Sequence, residues 1–467
     1  MNKRRTPISV IARPTLKRDL RNWQKSALES WENEGHRGIV AAATGTGKSM
    51  VALEAISRFW TATSRTLIVV PSINLQEQWV RLLSSEFQLR LSQIGRIGGP
   101  AEFTFQASHS IIVAVINSAR EVVHHISEGW REEGRSTFLI VDECHGAATL
   151  SNQGVFQGQF TSTMGLSATP ERSDNGMEEI LVPSLGPVVH RYSLKEALDD
   201  GILAPLKCIN IYFELDEEDT LALNAIEELI SQAIAEAIKE GLVSKEISRF
   251  EIFEFLERES PTASVTKKLI ELYRRRREIL DSSPRRHEAL EACLGSKLLS
   301  TKRCIIFHEK IRDALTTLKL AKERILRAVM DNSQLSAAER RIDMDMFRSG
   351  SSNILVAVRT IDEGIDVPDA KLAIIVNGTS SSRQRIQRIG RVVRPTGESA
   401  IVISILARNS SEEFRVGARD FLLVGRERTM HHLWNGQPMD ELLELSHSTY
   451  PPTSLDNSKL SDESSPS

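Results

Sequence analysis

The chain is sparing with cysteine, with aromatic residues and with net charge, and each scarcity removes a class of function. Its four cysteines, Cys144, Cys208, Cys293 and Cys304, are scattered, with no C-x-x-C pair and no ordered histidine partners. That argues against a structural zinc site or a disulfide framework and fits a reducing, intracellular setting. Lys+Arg number 59 against 62 Asp+Glu, a formal charge of −3, so no global basic field advertises a polyanionic partner. A nucleic acid would have to be held by local clusters of Arg and Lys. No run approaches the roughly 18 apolar residues that span a bilayer. The basic N-terminus MNKRRTPISVIARP has no apolar signal core behind it. A cytoplasmic protein is expected, with no membrane partner.

What is present points to an α/β protein of more than one domain, since 467 residues exceed one ordinary core. Short apolar runs alternate with amphipathic stretches from Leu20 to about Leu206. GIVAAA, TLIVVP, SIIVAVI, FLIVDE and TMGLSATP read as buried parallel strands, with helical patterns such as KSMVALEAISRFW and NLQEQWVRLLSSEF between them. A second alternating block holds RCIIFHEKI, NILVAVRT, AKLAIIVNG and SAIVISIL. Helical, charge-rich texture separates the two. The expected division is a first domain over 1–212, a helical insertion over 213–299, a second domain over 300–430, and an extension over 431–467 with a disordered, Pro/Ser-rich tail. In such sheets ligands sit at the carboxyl ends of the strands, where the polar clusters fall here.

AAATGTGKS, Ala41 to Ser49, lies between a predicted strand and a predicted helix, the context a phosphate loop requires. Glycines at 45 and 47 let N–H groups of Thr44, Gly45, Thr46 and Gly47 face a phosphate, and the helix N-terminus adds its positive end. Lys48 would reach the β- and γ-phosphates and Ser49 would ligate magnesium. Ala42 replaces the usual first glycine. The loop needs an acidic partner on a neighbouring strand, and FLIVDECHG supplies one: Asp142 suits the metal and Glu143 the base. Zinc is disfavoured because further ligands are lacking, and a Cys144 nucleophile because adjacent residues on a strand point to opposite sides.

The ordered motifs resemble those of the superfamily 2 helicases of DExH type. LRNWQ resembles the adenine-reading segment, AATGTGKS motif I, VVPSINLQEQW motif Ia, VDECH motif II and LSATPERSD motif III. IIFHEKI, VRTIDEGIDVP and QRIGRVVRP resemble motifs IV, V and VI. SATPERSDN, DEGIDVPDA and SSSRQRIQRIGRVVRP are similar to the versions in the XPB-like branch and its prokaryotic relatives, although Val358 stands where many of them carry Ser or Thr and no R-E-D triplet is present.

The resemblance implies two RecA-like parallel-sheet domains in tandem, with ATP and Mg2+ in the cleft between them. It places Gln24 on the adenine, Gly364 and Asp366 near the ribose and attacking water, Arg391 and Arg394 on the γ-phosphate, and Gln387 as a sensor of it. His145, Ser167 and Thr169 become coupling residues, and Cys144 a small packing residue. Ser72, Ser118 and Thr360 become contacts to nucleic acid, DNA rather than RNA, gripped with weak sequence preference. An ATP-dependent helicase or translocase is expected, with an RNA helicase or the motor subunit of a restriction, defence or repair complex as alternatives. A nuclease or repair partner protein is consistent with this. Trp23, Trp31, Trp60 and Trp79 read as core anchors. The basic run Arg274 to Arg277 with Arg285 and Arg286 reads equally as a solvated helix face or a nucleic-acid grip.

Overall fold

The structure, a computed structural model, describes residues 13–99, 109–171, 175–244, 252, 255–256, 262–358, 370–377, 382–393, 398–413, 416 and 418–450. Thr360, Gly364, Asp366 and Arg394 lie outside the described residues, as does the tail beyond 450.

The first unit is built on strands β1 (Arg37–Ala42), β2 (Arg65–Val70), β3 (Ile94–Ile97), β4 (Ile111–Val115), β5 (Thr137–Asp142), β6 (Ser162–Ser167) and β7 (Val188–Tyr192). They form one sheet in the order β3-β4-β2-β5-β6-β1-β7, with parallel neighbours throughout. Every residue of β2, β4, β5 and β6 is buried, which is why β2, β4 and β5 hold continuous apolar runs rather than alternating ones. Helices Lys48–Phe59, Ile73–Phe87 and Ile116–Glu132 leave from the carboxyl ends of β1, β2 and β4, so residues at those ends sit at helix starts.

The second unit holds β8 (Leu206–Phe213), β9 (Cys304–His308), β10 (Ala328–Asp331), β11 (Ile354–Val358), β12 (Leu372–Ile375), β13 (Ala400–Ala407) and β14 (Thr429–Trp434), in the order β10-β11-β9-β12-β13-β8-β14 and again parallel. The expected tandem of two parallel-sheet α/β domains is present. Three boundaries move. β8 pairs with β13 over its whole length, so the first unit closes at Leu203 and residues 206–212 belong to the second. Helices Glu217–Lys239 and Ser264–Ser282 pack around Ile230, Leu256 and Leu269 as a small core of their own. Helices Pro284–Leu294 and Lys297–Thr301 instead bury Ala289, Leu290, Cys293 and Leu299 against the second sheet, so the insertion ends near 282, not 299. The extension expected from 431 begins inside β14, which hydrogen-bonds to β8.

The basic run divides. Arg274 and Arg275 are exposed and paired along their own helix with Glu271 and Glu278, while Arg276 reaches Glu227 of the facing helix at 3.2 Å. Arg286 is neither solvated nor a grip. It is 1% exposed and donates to the carbonyls of Leu280 (2.9 Å), Val376 (2.5 Å) and Ile405 (2.7 Å) and to Glu412 Oε2 (2.6 Å). Among the described residues no helix is long and apolar enough to cross a membrane.

Buried imidazoles make the second unit acid-sensitive, His308, His431 and His432 among them. Burial, with His287 and two arginines nearby, holds His308 down to about 3, and burial holds His431 down to about 4. Below the ordinary value of 6.5 the unfolded chain takes up protons that the folded unit refuses. Stability therefore falls as pH drops from about 6.5 to 5, by up to roughly 1.4 kcal/mol per pH unit for each such histidine. Amide exchange along β9 and β14 across that range will accelerate, and a His308→Gln substitution will flatten the slope for β9.

Candidate active site

Motif I forms the turn from β1 into helix Lys48–Phe59. Gly45 (φ 82°) and Gly47 (φ 94°) occupy the left-handed region, which an L side chain resists. A Cβ on Gly47 would also stand 2.8 Å from Gln24 Nε2. The Gln24 amide thus lies against the phosphate loop: Nε2 donates to the Gly47 carbonyl at 3.0 Å, and Oε1 accepts the Arg21 N–H at 2.8 Å. The Arg21 guanidinium donates to the Thr46 carbonyl at 2.9 Å, a loop contact that sequence reading missed. Thr46 Oγ1 donates to the Ala43 carbonyl at 2.6 Å, and Thr44 Oγ1 is buried without a hydrogen-bond partner. Lys48, 8% exposed, donates through Nζ to the Ala42 carbonyl at 2.8 Å, and Ser49 follows it on the first helical turn.

Motif II ends β5 one strand-pair away, since β6 lies between β5 and β1. Asp142 is buried, and both of its oxygens are engaged: Oδ1 accepts the Glu143 N–H at 3.0 Å and Oδ2 the Trp79 indole N–H at 2.8 Å. Burial, and then the neighbouring Glu143 charge, push the Asp142 carboxyl up to about 6 against the opposing pull of Lys48. Glu143 takes a left-handed backbone (φ 48°), a conformation that costs a non-glycine residue about 1–3 kcal/mol and turns the chain sharply out of the strand. Its Oε2 is buried, accepts no hydrogen bond and lies 3.5 Å from His145 Nδ1. That same nitrogen is 3.0 Å from Ser167 Oγ, which accepts the Thr169 N–H at 3.1 Å. Motifs II and III are thereby one hydrogen-bonded unit, and the three expected coupling residues meet.

Cys144 is wholly buried and burial raises its thiol far above the ordinary range, so it is no nucleophile. No group of three or more His, Cys, Asp or Glu suited to a metal occurs among the described residues. Magnesium needs no such group. It takes few carboxylates together with water and phosphate oxygens, and the Ser49 hydroxyl and Asp142 carboxylate are donors of that hard kind. Asp142, buried beside the Glu143 carboxylate with Lys48 opposing their charge, is also a setting that suits a cation. The residues present fit the ion.

Of the expected nucleic-acid residues, Ser72 and Ser118 lie near strand ends at helix starts. Ser72 caps helix Ile73–Phe87, its Oγ accepting from the Leu75 N–H at 3.3 Å, and Ser118 sits in the first turn of Ile116–Glu132. In the second unit, helix Ser382–Val392 carries Gln387, which is buried, and the backbone of Arg391. Two arginines of that helix do structural work instead. Arg385 is buried in an ion pair with Asp420 and donates to Ser404 Oγ at 2.9 Å; Arg388 pairs with Glu309 at 2.9 Å over the Phe307 ring.

Comparison with known families decides the class. Residues 17–172 match the family described as "Type III restriction enzyme, res subunit", and residues 285–396 match "Helicase conserved C-terminal domain". The two stretches together span more than half of the chain. Over 411 residues the chain is 28% identical to "DNA 3'-5' translocase XPB2" of Sulfurisphaera tokodaii, covering 86% of this chain and 84% of that protein. The chain is an XPB-like superfamily 2 helicase. The helicase is also 25% identical to "DNA 3'-5' helicase XPB" of Kineococcus radiotolerans over 84% of its own length, but it spans only 61% of that protein. In fold it is similar to the Hef helicase domain of Pyrococcus furiosus, with TM-score 0.53 at 16% identity over 86% of this chain and 99% of that one.

Proposed function

We propose that this helicase hydrolyses ATP to move along duplex DNA and separate its strands. The observation that carries the reading is the unit formed by Asp142, Glu143, His145, Ser167 and Thr169, which joins a phosphate-site carboxylate pair to motif III through direct contacts. Lys48 would hold the β- and γ-phosphates, and the loop N–H groups would cradle them. Ser49 and Asp142 would hold magnesium, which when bound neutralises charge on the phosphate oxygens. Glu143 would orient and deprotonate the attacking water; its buried, unoccupied Oε2 is poised to accept that proton. Gln24 would read the adenine. Arg391 and Arg394 would stabilise the charge that develops in transfer, worth roughly 10³–10⁵ in rate for such arginines. Gly364 and Asp366 would border the ribose and water, and Gln387 would sense the phosphate. Ser72, Ser118 and Thr360 would grip the nucleic-acid backbone, contacts that do not read sequence.

DNA is assigned in preference to RNA because the relatives that match most of the chain are named for DNA. The likeness to the res subunit of restriction enzymes supports a nuclease-bearing partner, which co-purification from the native host tests. Steady-state ATP hydrolysis measured with duplex DNA, single-stranded DNA and RNA tests the substrate. DNA will stimulate most, and salt will suppress the effect steeply because phosphate contacts release counterions. Equal rates with and without every nucleic acid would leave an ATPase that is not a motor.

His145 supplies a separate test of coupling. The His145→Ala protein will retain basal ATP hydrolysis within a fewfold, since Glu143 and Ser167, which the imidazole touches, are not among the predicted phosphate contacts. Its stimulation by DNA will drop by roughly tenfold, the scale of a lost hydrogen bond to a charged group. Undiminished stimulation would remove His145 from the coupling route.

A further inference from the structure

One residue of helix Ile73–Phe87 has a role that neither packing nor the motif pattern explains. Trp79 is 1% exposed and large, and a core anchor of that kind ordinarily finds a carbonyl for its indole N–H. Trp31 does so, donating to the Thr163 carbonyl at 2.8 Å. Trp79 instead donates to Asp142 Oδ2. With the Glu143 N–H on Oδ1, each carboxylate oxygen carries one fixed donor, so the carboxylate plane is pinned and one lone-pair direction on each oxygen remains. The indole can donate but cannot accept, so the direction of its hydrogen bond to the carboxylate is fixed.

The same helix begins at Ser72, which caps it two turns before Trp79. A helix is a stiff rod and its buried ring is held by close packing, so a displacement at the cap moves the indole with it. We propose that Trp79 is a positioning residue that ties the grip on nucleic acid at the start of this helix to the orientation of Asp142. The inference rests on the motor reading above and adds a second coupling route, independent of His145.

Two variants test it: Trp79→Phe, and replacement of Trp79 by 3-benzothienylalanine, which keeps the ring's size and exchanges its N–H for sulfur. Three quantities are measured in the full chain. These are affinity for a non-hydrolysable ATP analogue without metal, manganese affinity in the presence of that analogue by electron paramagnetic resonance, and the factor by which duplex DNA stimulates ATP hydrolysis. Metal-free nucleotide affinity will be unchanged. Manganese affinity will weaken by roughly tenfold, as when a hydrogen-bond partner of a metal ligand is removed. The stimulation factor will fall by roughly tenfold as well. A benzothienylalanine protein with wild-type manganese affinity overturns the positioning role, and one with weakened manganese binding but full stimulation overturns the tie to nucleic acid. If the unaltered protein shows no stimulation by any nucleic acid, the motor reading fails, and the tie with it, while the manganese result still decides whether the indole orients Asp142.

Discussion

The Glu143→Gln protein will bind ATP as the parent does and hydrolyse it roughly 10²–10⁴-fold more slowly, the range that a positioned general base contributes. The side chain keeps its size, so the left-handed backbone at Glu143 and the chain path into the short 3-10 turn Cys144–Ala147 have no reason to change. What is lost is the base: an amide oxygen still accepts a hydrogen bond but cannot take the proton that the proposed mechanism delivers to Oε2. Lys48→Ala will fail differently. It removes the phosphate contact, so nucleotide affinity drops with turnover. It also removes a cation that opposes the upward shift of Asp142, leaving that carboxyl harder to ionise. Isothermal titration of ATP beside steady-state turnover separates the two patterns. A Glu143→Gln protein with unchanged ATP hydrolysis would reduce the molecule to a nucleotide-binding scaffold.

Arg286→Ala will destabilise the second unit by about 3–5 kcal/mol, the cost of breaking a buried ion pair by deleting one partner. The guanidinium serves a helix and two strands at once. It closes the helix ending at Ser282 through the Leu280 carbonyl, caps the chain after β12 at Val376, and satisfies Ile405 within β13. Arg286→Lys will recover only part of this, because one ammonium cannot fan out to four acceptors in fixed directions. The urea midpoint measured at unchanged slope reads the effect. Arg274→Ala in the same basic run should leave that midpoint in place, because its ion pairs are exposed and lie along its own helix.

The contrast between these two arginines shows where sequence stops being legible. Arg285 and Arg286 are adjacent letters, yet a helix turns them about 100° apart, which sends one towards Glu288 at the surface and the other into the core. Interior strands such as β5 and β9 could be read directly because burial on both faces makes them apolar throughout. The strands that escaped are chiefly the sheet edges, β3, β7, β10 and β14. Edges are short or carry polar residues, as Arg96, His190 and His431 do here, and so lose the apolar signature. β8 escaped for another reason: it follows the first block directly, and only its pairing with β13 reveals that it belongs to the second.

In the site, residues fixed by local backbone chemistry were readable, because a phosphate loop and a strand-end carboxylate must occur at set spacings. Lys48 opens the helix after β1, Asp142 ends β5 with Glu143 next to it, and hydrogen bonds join His145, Ser167 and Thr169. Trp79 and Arg21 were not readable as site residues. Their partners, Asp142 and Thr46, lie 63 and 25 positions away, and no spacing rule links an indole on one helix to a carboxylate on another strand.

The central claim is that ATP hydrolysis drives this molecule along DNA, and displacement of a third strand from a duplex tests it most directly. A triplex-forming oligonucleotide bound to a long duplex is released when a motor runs into it, whether or not the duplex itself is opened. The helicase will release it in a reaction that requires ATP and magnesium, starts after a lag that lengthens with the distance travelled, and is absent in the Glu143→Gln protein. Release that proceeds equally without ATP, or with no dependence on distance, or vigorous ATP hydrolysis with no release at all, would contradict the account.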